Sequence, residues 1–265
     1  MPGRPKPYVG VTGFMTRHDV EAALTTFPSA IHFDLMVGVL VSHKSFRGDR
    51  DAIRWPNRYP CTEDVGGIFT DDPKALNLIH FNSRARGREL FQQLQAVVDC
   101  GKPHILGLQL NIVWPDPDTL FHFAVDYPGL RIVQQLNRGM LPNAERGWSM
   151  QNMIDRLRPY VEQGAITDVL VDASGGTGKG FDFRSSFGVI DALETAFPYL
   201  GIGIAGGLCA KTVPELEVLL AVFPFLSIDA EGKLRSGDDH LDLTKVESYL
   251  AAFHNSCVNG SPFRH

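Results

Sequence analysis

The residues with the clearest capacity for chemistry are Asp172 and the glycine-rich run that follows it, Asp172-Ala-Ser-Gly-Gly-Thr-Gly-Lys179-Gly-Phe-Asp182-Phe183. Asp168 to Asp172 (DVLVD) reads as a short strand buried on both faces. A carboxylate that ends such a strand is held rigidly and can give or take a proton, which is general acid/base chemistry. The plainer alternative is that Asp172 only holds the loop and that its glycines only permit a turn. Two nucleotide-binding readings fail on the residues themselves. The loop misses the phosphate-binding pattern G-x-x-x-x-G-K-[ST], because Ala173 takes the first glycine position and Gly180 replaces the hydroxyl residue. Gly201-x-Gly203-x-x-Gly206 fits a dinucleotide pattern, but its first two glycines fall inside a strand rather than after one.

Other polar residues stand near the ends of strand-like segments: Thr12, His80, Asn82, Asn111, Gln135, Asn137 and Asp229. His80 is either a structural histidine or a replacement base. The run His43-Lys44-Ser45-Phe46-Arg47 is basic and favours an anion near the second strand, while Arg54, Trp55, Arg58 and Tyr59 could clamp an anion or stack on a ring.

The elements that must position these groups follow from hydrophobic periodicity. Eight apolar strand signals begin at Tyr8, Phe33, Leu78, His104, Leu130, Asp168, Gly201 and Phe225. A helical pattern follows each, as with Leu90, Leu94, Val97 and Val98, or Val246, Leu250 and Phe253; the second helix is the weak one. Thr16 is the expected N-cap of the first helix. Strict alternation of strand and helix implies parallel strands with right-handed crossovers. Eight units in 265 residues point to an α/β fold, a single-domain (β/α)8 TIM barrel. The expected boundaries are a barrel over residues 1–254, with a long connection from the second strand to the second helix at 48–77, and a C-terminal tail at 255–265. In such a barrel that connection and the other strand-to-helix loops form the face on which active sites are built.

Composition narrows the function. A net charge of −5 and a pI near 6.0 argue against a nucleic-acid partner. Cys61, Cys100, Cys209 and Cys257 are scattered without a C-x-x-C pair, which suggests neither a zinc cluster nor a disulfide framework. The scattered cysteines fit a reducing cytoplasm, and neither a signal peptide nor an apolar run long enough for a membrane span is apparent, so a cytoplasmic location and no membrane association are expected. No cofactor is expected either.

The run VLVDASGGTGKGFDF, followed by GIAGGL at Gly203 to Leu208, resembles the paired signature of phosphoribosylanthranilate isomerase. That signature is a strand ending in Asp, then GGTGK-FDW, then AGGL. Tyr8-Val-Gly-Val-Thr12 is similar to the family's first strand, Ser45-Phe46-Arg47 to its Ser-Pro-Arg, and Leu108 to Asn111 to its Q-L-H-G. The resemblance implies Asp172 as general acid and Arg47 as partner of a substrate carboxylate. It also implies a phosphate cradle around the backbone amides of Gly206 and Gly207. Gly176, Lys179, Glu231, Gly232 and Asn111 complete the expected substrate-binding set. Two departures from the family stand out. Val9 occupies the place of the family's catalytic cysteine, and Asp229-Ala230-Glu231-Gly232 stands where the family has Ser-Ser-Gly beside the phosphate. Glu231 would repel a phosphate by several kcal/mol at ~4 Å unless Lys233, Arg235 or a metal offset it. The expected function is therefore isomerase- or lyase-type acid/base chemistry on a phosphorylated sugar or nucleoside-derived molecule, distinct from the standard tryptophan-pathway reaction. The alternative is a non-catalytic barrel that binds a phosphorylated metabolite or a partner protein.

Overall fold

A computed structural model describes residues 3–28, 31–47, 55–143, 145, 147–172 and 183–260. Eight parallel strands close into a barrel in the order β1 to β8, each paired with its sequence neighbour and β1 with β8. The elements alternate along the chain: β1 Tyr8–Thr12, α1 Arg17–Thr26, β2 Asp34–Ser42, α2 Val65–Ile68, β3 Ala75–Asn82, α3 Gly87–Gly101, β4 Gly107–Asn111, α4 Pro117–Asp126. There follow β5 Arg131–Asn137, α5 Met150–Glu162, β6 Asp168–Asp172, α6 Phe183–Ala196, β7 Gly201–Ala205, α7 Glu217–Val222, β8 Leu226–Ala230 and α8 Leu243–Gly260. The TIM-barrel expectation therefore holds, and Thr16 caps α1 by accepting from the Asp19 amide.

The weakly periodic segment after β2 contains two 3-10 turns, Ser45–Arg47 and Pro56–Arg58, and only a one-turn α2. β3 begins at Ala75, earlier than the apolar pattern suggested, because Ala75, Leu76 and Asn77 pair with Leu35, Met36 and Val37 of β2. At the other end of the chain, helical backbone in α8 continues through residue 255 to Gly260. Among the described residues no helix is long and apolar enough to cross a membrane.

Period-two alternation divides each strand between two cores. Val9, Val11, Leu35, Val37, Ile79, Leu108, Val169, Ile202 and Ile228 face outward and pack under the helices. Tyr8, Met36, Leu76, Leu78, Val133 and Leu170 face inward and fill the barrel. Val9 is thus outside the barrel interior. The inward positions of β1 are Tyr8, Gly10 and Thr12, so β1 could place no proton acceptor in the mouth at residue 9, whatever the side chain there.

The floor at the N-terminal end is ionic. Arg131 grips Asp168 through Nε (2.9 Å) and Nη2 (2.5 Å), donates Nη1 to the Lys6 carbonyl at 2.8 Å, and lies over the Tyr8 ring at 5.0 Å. A side chain at Gly201 would clash with Asp168, since a Cβ there would lie 1.9 Å from Oδ1. Removing one member of a buried pair leaves the other charge uncompensated, typically a loss of about 3–5 kcal/mol. Arg131→Ala is therefore expected to lower unfolding free energy by that order in urea titrations. Ligand binding at the opposite face should be unchanged; a loss below ~1 kcal/mol would show that the pair is not the anchor described here.

Candidate active site

The C-terminal ends of the strands open on a cavity of about 700 Å³. Asp172 ends β6, is buried, and accepts from Gln135 Nε2 at 2.9 Å. Its register partner on β7 is Ala205, and Ala205 in turn pairs with Asp229 on β8. The two carboxyl groups therefore stand on next-but-one strands, ~10 Å apart between backbones, and the tilt of the strands sets Asp229 deeper in the mouth than Asp172. Both line the cavity, together with His80, Gln109, Asn111 and Asn137.

Asp229 has the most perturbed carboxyl of the site. It is buried, and a Cβ on Gly10 would lie only 2.7 Å from its Oδ1, so the glycine on β1 makes the room in which the carboxyl sits. Thr12 donates its hydroxyl to Asp229 Oδ1 at 2.9 Å. Thr12 Oγ1 also lies 3.3 Å from His80 Nε2, and Gln109 Nε2 lies 3.0 Å from His80 Nδ1. Gly38 makes room here, since a Cβ on it would come within 2.6 Å of Thr12 Oγ1. Burial pushes the Asp229 carboxyl up to about 7; the Thr12 hydrogen bond opposes the rise, and the charges of Glu231 and Asp172 add to it. Burial lowers His80 to about 3, so its imidazole is neutral across the physiological range. That removes His80 as a replacement base, because an imidazole so weakly basic takes protons poorly near neutral pH. Gln109 Oε1 is buried without a hydrogen-bond partner among the described residues and is an acceptor that a ligand hydroxyl could meet.

On the β7 and β8 side, Gly206 and Gly207 line the cavity with φ of 115° and 68°, backbone that residues with a Cβ rarely adopt. Gly232 and the exposed Lys233 lie on the same cavity. Glu231 was expected to be offset by Lys233, Arg235 or a metal. Arg235 does form an ion pair with it, Nη2 to Oε1 at 3.6 Å, and Arg58, which was not expected, makes the closer contact by donating Nη1 to Glu231 at 2.8 Å. Arg58 also holds Asp239 through Nε (2.8 Å) and Nη2 (2.7 Å) and covers the Trp55 ring at 4.8 Å. Its fork is thus occupied by carboxylates of this chain, which corrects the expectation of an anion clamp at Arg58. Among the described residues no group of three His, Cys, Asp or Glu side chains could hold a metal ion.

The structure brings Asp172, Asn111, Gly206, Gly207, Glu231 and Gly232 together on one cavity. Gly176 and Lys179 lie outside the described residues, as does the Arg47 side chain, whose backbone closes the turn Ser45–Arg47. The sequence placed Asp229 near a strand end, among several polar residues that could help form a site, but did not single it out. Its signal lay in Gly10 and Thr12, inward positions of the neighbouring strand that leave room and a hydroxyl for it.

No protein-family model matches the chain, and no curated protein matches it in sequence. Its fold is similar to that of phosphoribosyl anthranilate isomerase from Thermotoga maritima, at 16% identity and a TM-score of 0.63 over 94% of this chain and 99% of that one. A phosphoribosyl anthranilate isomerase in complex with reduced 1-(o-carboxyphenylamino)-1-deoxyribulose 5-phosphate matches at 15% identity and a TM-score of 0.63, with 94% and 99% covered. Ribulose-1,5-bisphosphate carboxylase/oxygenase from Pyrococcus horikoshii matches at 13% identity and a TM-score of 0.57, over 97% of this chain and 61% of that one. The shared property is the barrel; at these identities the likeness is one of fold.

Asp229 and His80 act on stability in opposite directions. Asp229 binds its proton up to about pH 7 when folded but only to 3.8 when unfolded, so it adds stability as pH falls from 7 to 3.8. His80 stays neutral to about 3 when folded but protonates at 6.5 when unfolded, so it removes stability as pH falls from 6.5 to 3. In the wild type the two slopes largely cancel. Asp229→Asn is expected to raise stability by a few kcal/mol at pH 8 and to expose the uncompensated acid-side loss from His80. Denaturation midpoints measured between pH 4 and pH 8 check this, and parallel curves for variant and wild type would show an ordinary carboxyl.

Proposed function

We propose that this chain is an enzyme of phosphoribosylanthranilate isomerase-like architecture. It performs an isomerase- or lyase-type acid/base step on a phosphorylated sugar or nucleoside-derived small molecule, with Asp172 as a proton-transfer group. One observation carries the reading: the Asp172 carboxyl and the turns after β7 and β8 open on the same cavity. Its ~700 Å³ suits a small molecule, since such sites commonly span ~300–1,000 Å³. Phosphate sites in this fold are frequently built from the loops after the seventh and eighth strands. At that edge Gly206 and Gly207 let backbone approach a phosphate closely, and Lys233 supplies a positive charge. Arg58 supports the same reading from the side, because pairing with it reduces the repulsion that Glu231 would exert on a dianion. The phosphoribosyl anthranilate isomerase complex holds a ribulose 5-phosphate derivative, which is the class of ligand proposed for this cavity.

Calorimetric titration with ribose 5-phosphate and with ribose tests the phosphate. The phosphorylated sugar is expected to bind at least about tenfold more tightly, a difference of ~1.4 kcal/mol. Equal affinities would remove the phosphate from the proposal. Asp172→Asn should keep that binding and the melting temperature while losing turnover, because Asn has nearly the same shape but cannot exchange a proton. Turnover lost only in proportion to unfolded protein would instead make Asp172 a loop anchor, and phosphosugar binding without any turnover in the wild type would favour the non-catalytic barrel.

A further inference from the structure

We propose that Asp229 is a second proton-transfer residue of this cavity, the group that takes a proton from a carbon atom of the ligand, and that Thr12, His80 and Gln109 are its positioning residues. The inference rests on the reading of the cavity as an acid/base site and supplies it with the proton acceptor that β1 does not provide. Three features of the geometry carry it. First, Asp229 lines the same cavity as Asp172, on the next strand but one and deeper in the mouth, so one small ligand can reach both carboxyls. Second, the carboxyl is lodged over Gly10 and tied to Thr12, which fixes its height and orientation as a proton acceptor must be fixed. Third, the polar groups beneath it form a consistent chain. Gln109 donates to His80 Nδ1, Thr12 Oγ1 lies against the His80 ring at 3.3 Å from Nε2 and 3.4 Å from Nδ1, and Thr12 gives its own proton to Asp229. None of these groups is an acid that would compete with the carboxyl for the ligand.

The ionisable groups facing Asp229 are Tyr8 on β1, His80 on β3, Asp172 on β6, Glu231 beside it and Tyr249 on α8. Tyr8 and Tyr249 are held well above their ordinary range by burial and His80 is neutral, which leaves the carboxyls of Asp172 and Glu231, when ionised, as the charges that act on Asp229. A carboxyl poised in this range both accepts and returns a proton readily, which suits a reversible transfer at carbon. In the step proposed, a C–H bond next to a carbonyl breaks and its proton passes to the Asp229 carboxylate. The bonding pair forms a C=C bond with the carbonyl carbon, and the carbonyl oxygen takes the π pair and a proton from Asp172 or solvent. The hydroxyl on the carbon that lost its proton then gives its O–H proton to Asp172 or solvent and becomes the new carbonyl, while the C=C pair takes the Asp229 proton at the former carbonyl carbon, so the isomerisation completes without any further reactant.

The experiment has two readouts. In the first, ribose 5-phosphate or ribulose 5-phosphate is incubated with the enzyme in D2O, and loss of the proton signal at the carbon next to the carbonyl is followed by NMR. The wild type is expected to catalyse exchange, and Asp229→Asn to slow it by roughly 10²–10⁴-fold while still binding the sugar phosphate. The second readout is the carbon-13 signal of the Asp229 carboxyl. It should titrate with a midpoint near 7, rise in Thr12→Val, which removes the donor that favours the ionised form, and return in Thr12→Ser. Exchange by Asp229→Asn at the wild-type rate overturns the proposal, and so does a wild type that binds the sugar phosphate without exchanging it. Should neither sugar phosphate bind, the phosphosugar reading fails on its own. Asp229 is then judged by its titration, where a midpoint in the ordinary carboxylate range overturns its role and a midpoint near 7 that moves with Thr12 supports it.

Discussion

The hydrogen bond from Thr12 to Asp229 is the contact around which the mouth of this barrel is arranged. A carboxyl buried inside a ring of strands is costly unless its oxygens are met by donors and the space is shaped for it. Here the donor comes from the neighbouring strand, and the space comes from a glycine two residues before that donor. The same hydroxyl faces the His80 ring, which lies against Gln109, so four strands contribute to one polar layer above an apolar one. Had β1 carried an ordinary side chain at residue 10 and β2 one at residue 38, the layer would have no room to form. The result is a barrel whose interior changes character along its axis, from an ion pair, through packed hydrocarbon, to a hydrogen-bonded floor beneath a cavity.

Much of this organisation was legible from the chain. Continuous apolar runs such as FDLMVGVLV mark strands covered on both faces, and regular helical spacing between them fixes the alternation, which leaves few topologies other than a closed barrel. Asp172 could be recognised because the residues on both sides were informative, an apolar strand before it and glycines after it. What could not be read was orientation. Alignment by local motif put Val9 in a catalytic position, but a strand turns alternate residues to opposite sides, and only the register of the closed sheet shows that Val9 faces the helices while Tyr8, Gly10 and Thr12 face inward. Asp229 was hidden for a related reason. Its environment is made by residues from β1, β3 and β4 that lie far from it in sequence, and no local pattern reports a burial that distant strands create.

The charges around Glu231 illustrate the same limit. From sequence, an acidic residue near an expected phosphate looked like an obstacle, and the nearest basic residues in the chain seemed the natural counterions. One of them, Arg235, does pair with it, but the closer counterion is Arg58, from a connection with little periodicity of its own. Its guanidinium meets two carboxylates and a tryptophan ring at once, a combination that suits a planar cation better than a lysine ammonium.

That clamp also bears on how the molecule assembles. Arg58 and its partners Glu231 and Asp239 are separated by 173 and 181 residues, and they lie on either side of the seam where β8 meets β1. Contacts of such sequence separation can form only after the chain has already paid most of its loop-closure entropy. The rim of the cavity is therefore completed late, when the last strand has docked on the first. A nascent or partly folded chain can carry most of the barrel's helices and strands while still lacking the surface that gives the cavity its charge balance.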